Sequence, residues 1–328
     1  MTSNFKSPHT NYSFHLVLIS VFLRTVKISE MLKYRGALIA CIVAGLSISV
    51  AYLLQPTFLY MKRTYSADDE TKFVRLIKQR GFEFHKLKHS LYREGSQFSY
   101  LILDREAKNT SRGCHVVVLF GGNGMTAFDW GLWIVKIRSH LDLFSQVAFV
   151  LVDYPGYGAN EGSPSPDSIQ ATARESIKLA LGRLRAGGII PAELSVVGHS
   201  IGSGVAVKFV ELHDNSSVPI TRLILSAPFT SMVDMVPVVF PMIPTGIAAL
   251  ISRHNWDSRA SLANIIKMGG PRQICIVHGL EDEIVPFRMG EELSKISESR
   301  IHFVPVKNAA HNDVLSLVKV YGLLLNRK

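Results

Sequence analysis

The regular alternation of strand-like and helix-like segments limits the folds open to this chain more than any other feature. Eight short runs are rich in β-branched and other apolar residues, and they cover residues 83–92, 98–104, 115–120, 147–153, 193–198, 221–226, 273–278 and 300–306. Some, such as Val116–Phe120, are apolar throughout, as expected for a strand covered on both faces of its sheet. Repeated strand–helix units of this kind predict an α/β fold with a doubly wound, mainly parallel sheet.

Helical patterns lie between these runs, and one stretch departs from the alternation. The patterns cover residues 126–140, 167–186, 202–213, 287–298 and 312–326. Residues 231–268 are mostly apolar but contain prolines at 237, 241 and 244. Because proline ends or kinks helices, we expect this stretch to form a short cap over the sheet. The cap belongs to one large domain, for which we assign residues 61–328.

The first sixty residues form a separate tail and contain an uncharged apolar run. The run Gly36–Leu54 has nineteen residues, enough to cross a bilayer as a helix. A cleaved signal peptide is the alternative, but aromatic residues and Pro56 follow the run where a cleavage site requires small residues. We therefore predict an N-terminal region, residues 1–60, with a single transmembrane helix at about 36–54.

Basic residues flank the apolar run, with a small excess before it. Arg24, Lys27, Lys33 and Arg35 precede the run, whereas Lys62, Arg63 and then three acidic residues follow it. The positive-inside rule then favours a cytoplasmic N-terminus and a large domain on the non-cytoplasmic side. The net charge of the chain is +10, yet there is no Lys/Arg run with interleaved aromatics. The absence of such a run argues against a nucleic-acid partner. The net positive charge favours contact with anionic lipid.

A serine stands between a strand-like run and a helical pattern in the segment Leu194–Gly202 (LSVVGHSIG). In a G-x-S-x-G turn of this kind the serine is strained and its oxygen is exposed above the sheet. Gly198 and Gly202 allow close backbone approach, and the helix starting near Ile201 directs its amide dipole at developing negative charge. Ser200 is therefore a candidate nucleophile. The alternative is an ordinary turn with a capping serine.

A serine nucleophile needs a histidine base, and the base needs a carboxylate that orients it. When the nucleophile lies on a strand-to-helix turn of this kind, the acid and then the histidine follow in the chain. Three acids, Glu281, Asp282 and Glu283, follow the seventh strand and compete for the first role. His311 is the one histidine in the loop after the last strand, so we predict that it is the base.

Two other histidines and a serine close to these positions are interpreted as structural. His199 precedes the candidate nucleophile and is expected to point elsewhere. His278 ends the seventh strand, and Ser203 lies inside the following helical pattern.

A glycine-rich turn after the third strand can supply a further part of such a site. The turn has the sequence Gly121-Gly-Asn-Gly124. Backbone N–H groups in a turn at this position, together with the N–H after the nucleophile, form an oxyanion hole. We assign the two donors to Asn123 and Ile201. The alternative is a turn with no catalytic role.

Taken together, these segments resemble the α/β-hydrolase superfamily over about residues 81–326. The sequence is most similar to the membrane-anchored α/β-hydrolase-domain branch, and further support comes from the segments Asp153–Gly158, Ser226–Ser231 and His311–Asp313. The loop at 278–286 resembles the family pattern HG-x-x-D-x-x-V-P, which selects Asp282 as the acid. The family often has His-Gly where this chain has Gly121-Gly122, so the oxyanion turn departs from the pattern.

The resemblance implies a serine hydrolase whose triad is Ser200, Asp282 and His311. Relatives of this branch act on acyl esters or thioesters, including lysophospholipids and acylated proteins, and the resemblance implies no metal or organic cofactor. Two alternatives remain. A serine peptidase would use the same triad, with Glu161 as the nearest candidate to bind a substrate N-terminus. A non-catalytic binding protein on the same fold is the other.

Overall fold

The computed structural model describes residues 28–91, 95–104, 113–141, 147–214 and 218–315. The chain divides into two compact units, Met1–Leu53 and Leu54–Lys328. Helix α1 is continuous from Ile28 to Leu59, and its stretch Ala37–Leu59 is long and apolar enough to cross a membrane. The predicted apolar run lies within this helix. The basic residues Arg24 and Lys27 lie outside the described part of the chain.

A single eight-stranded sheet organises the second unit. Its strands are β1 Phe82–Leu91, β2 Gly95–Asp104, β3 Cys114–Phe120, β4 Val147–Val152, β5 Pro191–His199, β6 Ile220–Ser226, β7 Gln273–Gly279 and β8 Ile301–Val306. Their order across the sheet is β1-β2-β4-β3-β5-β6-β7-β8. The pairs β1–β2 and β2–β4 are antiparallel, and the remaining pairs are parallel. The predicted mainly parallel sheet is confirmed, with each predicted strand present.

Eight helices in the described residues surround or cap the sheet. They are α2 Ala67–Gln79, α3 Ala127–Leu141, α4 Pro166–Ala186, α5 Ile201–Leu212, α6 Met232–Val239, α7 Thr245–Ile251, α8 Ser258–Lys267 and α9 Phe287–Ser294. Helices α3, α4, α5 and α9 match predicted segments, although α9 ends earlier than expected. The predicted helix at 312–326 falls mainly outside the described residues, and residues 311–315 form turns.

Helix α2 was not predicted from the sequence, yet its local signals are strong. Ser66 and Asp69 form a reciprocal capping box, which satisfies backbone donors at the start of the helix. Phe73 and Ile77 are four residues apart and both are buried. The Phe73 ring stacks on Phe128 of α3, with ring centroids 4.1 Å apart. The many charges of this stretch lie on the other side of an amphipathic helix.

Both faces of the sheet are covered by apolar layers, which is why its central strands are apolar throughout. In β3, Val116 and Val118 belong to one buried cluster, and Val117 and Leu119 belong to the other. Side chains of α4 and α5 fill the first layer, whereas side chains of α3 fill the second. Because β3 to β8 run parallel, the loops that follow these strands all lie at the carboxyl edge of the sheet, where ligands bind in such folds.

The predicted cap region, residues 231–268, contains α6, α7 and α8. Helix α8 packs into the core through Leu262 and Ile265, so it is a conventional layer of the domain. Helices α6 and α7 are short, with Pro237 inside the first and Pro244 at the start of the second. Several large apolar side chains on these two helices and the turn between them are exposed.

Candidate active site

The predicted nucleophile, Ser200, is the single residue between β5 and α5. Its backbone dihedrals are φ 54° and ψ −122°, a region that residues with a Cβ rarely adopt. Such a conformation costs about 1–3 kcal/mol and persists only where the surroundings impose it. Here the Ser200 N–H donates to the Ser226 carbonyl at 2.9 Å. The strained turn agrees with the geometry expected of an exposed nucleophile.

Two glycines impose this turn because there is no room for a side chain at either position. A Cβ at Gly198 would overlap the carbonyl oxygen of Gly202. A Cβ at Gly202 would overlap the carbonyl oxygens of Phe120 and Gly121, at the end of β3. The start of α5 is therefore in direct backbone contact with the glycine turn that the sequence assigns to the oxyanion hole.

The candidate acid and base are joined by hydrogen bonds. Asp282 follows β7, His311 follows β8, and His311 Nδ1 lies 2.8 Å from Asp282 Oδ2 and 3.0 Å from Oδ1. The backbone N–H groups of Ile284 and Val285 donate to Asp282 Oδ1 at 3.0 and 2.8 Å. The Asp282 side chain is fully buried, so water does not compete for these bonds.

The hydrogen bonds decide the charge state of this carboxyl group. Burial alone would raise the pKa of Asp282. Hydrogen bonds from His278, His311 and the Val285 N–H outweigh burial and hold the pKa of Asp282 well below its usual range. Asp282 is therefore ionised at neutral pH and favours the His311 tautomer that carries its proton on Nδ1.

The other two acids of the loop are placed differently. Glu281 and Glu283 are exposed. Glu283 Oε2 accepts the backbone N–H of His311 at 3.2 Å and so contacts the main chain of the base. Of the three candidate acids, Asp282 is the one hydrogen-bonded to the His311 ring, which is the arrangement that a catalytic acid requires.

His278, which the sequence suggested was structural, lies against the candidate acid. Its Nε2 is 3.2 Å from Asp282 Oδ2 and 3.0 Å from the carbonyl oxygen of Val285. Because a carbonyl oxygen only accepts hydrogen bonds, Nε2 carries the proton and donates. The ring is fully buried, and a Cβ at Gly290 would overlap it. The short spacing from His278 to Asp282 was the one available signal for this contact.

His199 also lies beside the candidate base. Its ring centroid is 4.9 Å from that of His311, and its Nδ1 is 3.1 Å from Ser226 Oγ. Burial, together with the nearby His311, lowers the pKa of His199 to about 3. His199 is therefore neutral at physiological pH and places no fixed positive charge beside the base.

The glycine turn lies against the candidate nucleophile. A Cβ at Gly122 would be 3.3 Å from the Ser200 Cβ and 3.0 Å from the His199 ring. The Asn123 side-chain oxygen accepts the Met61 N–H at 2.7 Å and the Tyr157 hydroxyl at 3.1 Å. These bonds fix the position of Asn123 through its side chain and leave its backbone N–H for another partner.

The first turn of α5 supplies the second predicted donor. The N–H of Ser203 donates to the Ser200 carbonyl oxygen at 2.8 Å, whereas Ile201, at the first helical position, has no intrahelical acceptor for its N–H. In the described residues no hydrogen bond joins the Ser200 hydroxyl to His311. Such catalytic hydrogen bonds are often long before substrate binds.

The segment that follows β4 is hydrogen-bonded to the glycine turn. The Tyr154 hydroxyl donates to the Gly121 carbonyl oxygen at 2.7 Å. Asp153 is fully buried, accepts the Ala127 N–H at the start of α3 at 2.7 Å and accepts the Tyr65 hydroxyl at 2.8 Å. Burial raises the pKa of Asp153 to about 6. This carboxyl group therefore has a structural role in tying three segments together.

Glu161, the acid that a peptidase could use, is engaged at the start of β2. Its Oε2 accepts the backbone N–H of Ser96 at 2.9 Å. A Cβ at Gly95 would overlap the same carboxylate, so this side chain is packed against the β2 backbone.

A serine on a strained strand–helix turn and a hydrogen-bonded Asp–His pair thus follow the strands of one mainly parallel sheet. The sequence matches the Alpha/beta hydrolase family over residues 117–304, more than half of the chain. This chain therefore belongs to the alpha/beta hydrolase family.

Individual relatives agree with this assignment. The chain is 29 % identical over 216 residues to lysophosphatidylserine lipase ABHD12 of Danio rerio, covering 60 % of this chain and 52 % of that protein. It is 25 % identical to protein bem46 of Schizosaccharomyces pombe, covering 79 % and 80 % of the two chains. The match to bem46 is longer than most: the chain spans about half the length of the other curated relatives named or ranked beside it.

Solved structures share the fold at low sequence identity. The esterase Pf2001 of Pyrococcus furiosus is 13 % identical, with a TM-score of 0.53, and the match covers 75 % of this chain and 91 % of that one. At this level of identity the similarity concerns the fold alone.

Proposed function

We propose that this protein is a serine hydrolase that cleaves acyl esters or thioesters through Ser200, His311 and Asp282. The observation that carries the proposal is the buried hydrogen bond from His311 Nδ1 to Asp282, 2.8 Å long, at the same sheet edge as a serine with φ 54°. Taken separately, a strained serine and a buried Asp–His pair are each compatible with a structural role. Together they supply the nucleophile, base and orienting acid of acyl transfer.

The proposed reaction has two steps. His311 takes the Ser200 hydroxyl proton through Nε2 while the serine oxygen attacks the substrate carbonyl, and the ionised Asp282 stabilises the resulting imidazolium. The N–H groups of Asn123 and Ile201 stabilise the oxyanion, each typically by about 3–4 kcal/mol. His311 then protonates the departing alcohol or thiol. Water, activated by the same histidine, finally releases the acyl group.

The proposed substrate is lipid-like, and the proposed location is a membrane. One relative is named a lysophosphatidylserine lipase, which supports an acyl lipid or an acylated protein as the substrate. Helix α1 contains an apolar stretch of bilayer length, and the described side chains of Ala37–Ala51 are largely exposed. We propose that it is a single-pass anchor and that the hydrolase domain lies on the non-cytoplasmic side, as the flanking basic residues favour.

Labelling with a fluorophosphonate probe tests the nucleophile directly. The full-length protein in detergent should react with the probe, and Ser200→Ala should abolish both labelling and hydrolysis of p-nitrophenyl butyrate. Ser90 is an exposed serine on β1, so Ser90→Ala is the matched control and should keep both activities. Full activity in Ser200→Ala would refute the triad.

The leaving group and acyl length need a second experiment. A series of p-nitrophenyl esters and matched acyl thioesters of increasing chain length, followed by lysophospholipids, should show a preference for long acyl chains. A lack of ester turnover together with cleavage of a peptide amide would instead favour the serine peptidase. A folded protein that neither reacts with the probe nor hydrolyses any of these substrates would favour a binding function.

A further inference from the structure

Five apolar side chains on α6, α7 and the turn between them form an exposed surface, which we call the cap face. Its members are Val239, Phe240, Met242, Ile247 and Leu250. Met242 is 95 % exposed, and Val239 and Leu250 are each 59 % exposed. Isolated exposed apolar residues are ordinary, but a contiguous group of this kind usually marks a binding surface.

The sequence of the cap face is unusual for a surface in contact with water alone. Residues 235–252 contain no charged side chain. Helices α6 and α7 bury Met232, Ala248 and Ile251 against the domain, so the five residues of the cap face form their outer side. The cap face therefore differs from a roof over the sheet, since its largest side chains point away from the domain.

The end of α1 is attached to the chain directly after the cap face. Gln55 forms two hydrogen bonds with the backbone of His254, one from the His254 N–H at 2.7 Å and one to its carbonyl oxygen at 3.4 Å. The Tyr60 hydroxyl accepts the Trp256 indole N–H at 3.1 Å. Gln55 lies within the apolar stretch Ala37–Leu59, so the cap is fastened to the end of the helix that is proposed to cross the membrane.

We propose that the cap face binds the same bilayer that α1 anchors into, with Phe240, Met242 and Leu250 inserted among the lipid headgroups and upper acyl chains. This inference rests on the proposed membrane anchor and deepens it. A bilayer fits better than a protein partner because the surface is uncharged and adjoins the end of a membrane-length helix. Lys62, three residues after the end of α1, is exposed and adds a basic group near that end, whereas the charge of Arg63 is paired with Asp129.

A depth-sensitive label on the full-length protein tests this contact. Cys41 is exposed within α1 and is replaced by serine, whereas Cys114 and Cys275 are buried. A nitrobenzoxadiazole fluorophore is then attached to Met242→Cys, or to Ile190→Cys as the control. Ile190 is 74 % exposed and lies just before β5, at the amino end of the strands.

The labelled proteins are reconstituted into phosphatidylcholine vesicles that contain doxyl-labelled phosphatidylcholine. Doxyl quenching at position 242 should exceed that at position 190 by about twofold or more, with emission shifted to the blue, because interfacial insertion reaches about 5–10 Å into the membrane. Equal quenching and equal emission at the two positions would overturn the proposal. A third outcome would assign the cap face to a second copy of the chain: the unlabelled Met242→Cys variant forms disulfide-linked dimers, and the label at position 242 is blue-shifted but not quenched. That outcome would also overturn the proposal.

Two further readouts separate this inference from the proposed function. Extraction with alkaline carbonate reports on α1: loss of the protein from the vesicles would refute the anchor, whereas retained protein with an unquenched label refutes the cap-face contact alone. Fluorophosphonate labelling of each variant reports separately on the triad.

The functional consequence is tested with Phe240→Asp and Met242→Asp, with Ile190→Asp as the matched control. Hydrolysis of an acyl lipid presented in vesicles should fall by about tenfold in the two cap-face variants, because each loses the partition energy of a large apolar side chain. Hydrolysis of soluble p-nitrophenyl butyrate should be unchanged in all three. Equal losses on both substrates, or none on vesicles, would contradict the contact.

Discussion

The turn that carries Ser200 and the loop that carries Asp282 lie at the same edge of the sheet, but they are held by different forces. The serine turn is fixed by backbone packing, since Gly198 and Gly202 leave no space for a Cβ. The acid loop is fixed by hydrogen bonds, because Asp282 accepts from two backbone N–H groups and contacts the rings of His278 and His311.

This difference teaches how each part should respond to mutation. Close packing of backbone atoms tolerates no added carbon, because protein interiors are as dense as organic crystals. A set of several hydrogen bonds can lose one member and keep the others. We therefore expect a single added methyl group in the serine turn to cause a large loss of activity. Loss of one hydrogen-bond partner in the acid loop should cause a smaller loss, unless the carboxylate itself is changed.

Among the substitutions that test this comparison, the largest effect is expected from Asp282→Asn, which keeps the size of the side chain but removes its charge. The amide would favour the wrong His311 tautomer, so kcat for p-nitrophenyl butyrate should fall by about 10³–10⁴-fold. Glu281→Gln and Glu283→Gln are matched controls on the same loop and should cost less than about tenfold. If Glu281→Gln proved as damaging as Asp282→Asn, the assignment of the acid would be wrong.

A smaller but still large effect is expected from Gly202→Ala. The added methyl group would overlap the carbonyl oxygens of Phe120 and Gly121, so the serine turn and the glycine turn must separate. We expect a loss of activity of about 10²-fold and a lower Tm, since a small displacement near the chemistry has effects of this size.

Gly182→Ala is the control for this substitution. Gly182 lies inside α4 with open space around it, so alanine there should raise the free energy of unfolding by up to about 1 kcal/mol. Normal activity in Gly202→Ala would show that the serine turn is not sterically fixed and would remove the contrast between the two regions.

His278 tests the stepwise behaviour of the acid loop. Replacement by leucine removes the hydrogen bond to Asp282, whereas glutamine keeps an N–H donor near the position of Nε2. His278→Leu should lower kcat by about tenfold with little change in KM, and His278→Gln should recover part of the loss, since partners that orient a catalytic ligand have effects of this order. Equal loss in both variants would indicate that the ring acts through packing alone.

The smallest expected effect is a difference in the pH dependence of stability. The pKa of Asp282 is depressed in the folded protein, so its ionisation stabilises the fold above the unfolded pKa of about 3.9 and this stabilisation is lost as the pH falls below that value. Asp282→Asn lacks this contribution. The Tm of the wild type should therefore exceed that of the variant at neutral pH, and the gap should narrow on acidification below about pH 4. A constant gap would show that the hydrogen bonds do not depend on the charge.

The sequence predicted the sheet well because buried central strands leave a strong local signal. Val116–Phe120 is apolar throughout since both of its faces are covered, and no tertiary information is needed to recognise it. The order of the strands was not predictable in the same way. The antiparallel pairing of β2 with β4 depends on contacts between residues about fifty positions apart, such as Leu101 with Val150.

The candidate site was predictable where a motif carries the geometry. Ser200 and His311 follow from local pattern and chain order, and Asp282 followed from resemblance. The contact of Met61 with the Asn123 side chain joins residues 62 positions apart, and the sequence contains no sign of it. Helix α2 was missed for a different reason: its charges obscured a capping box and the Phe73–Ile77 spacing that were both present.

The positive φ of Ser200 has a consequence for any attempt to improve this protein by selection. Glycine adopts this conformation without the penalty that a Cβ incurs, so Ser200→Gly is expected to unfold at a higher temperature than the wild type while losing the proposed nucleophile. A library screened for heat resistance alone would therefore enrich an inactive sequence at this position. Thermal selection on this protein has to be coupled to a turnover assay, because thermal stability favours glycine at residue 200 whereas the proposed catalytic activity requires serine.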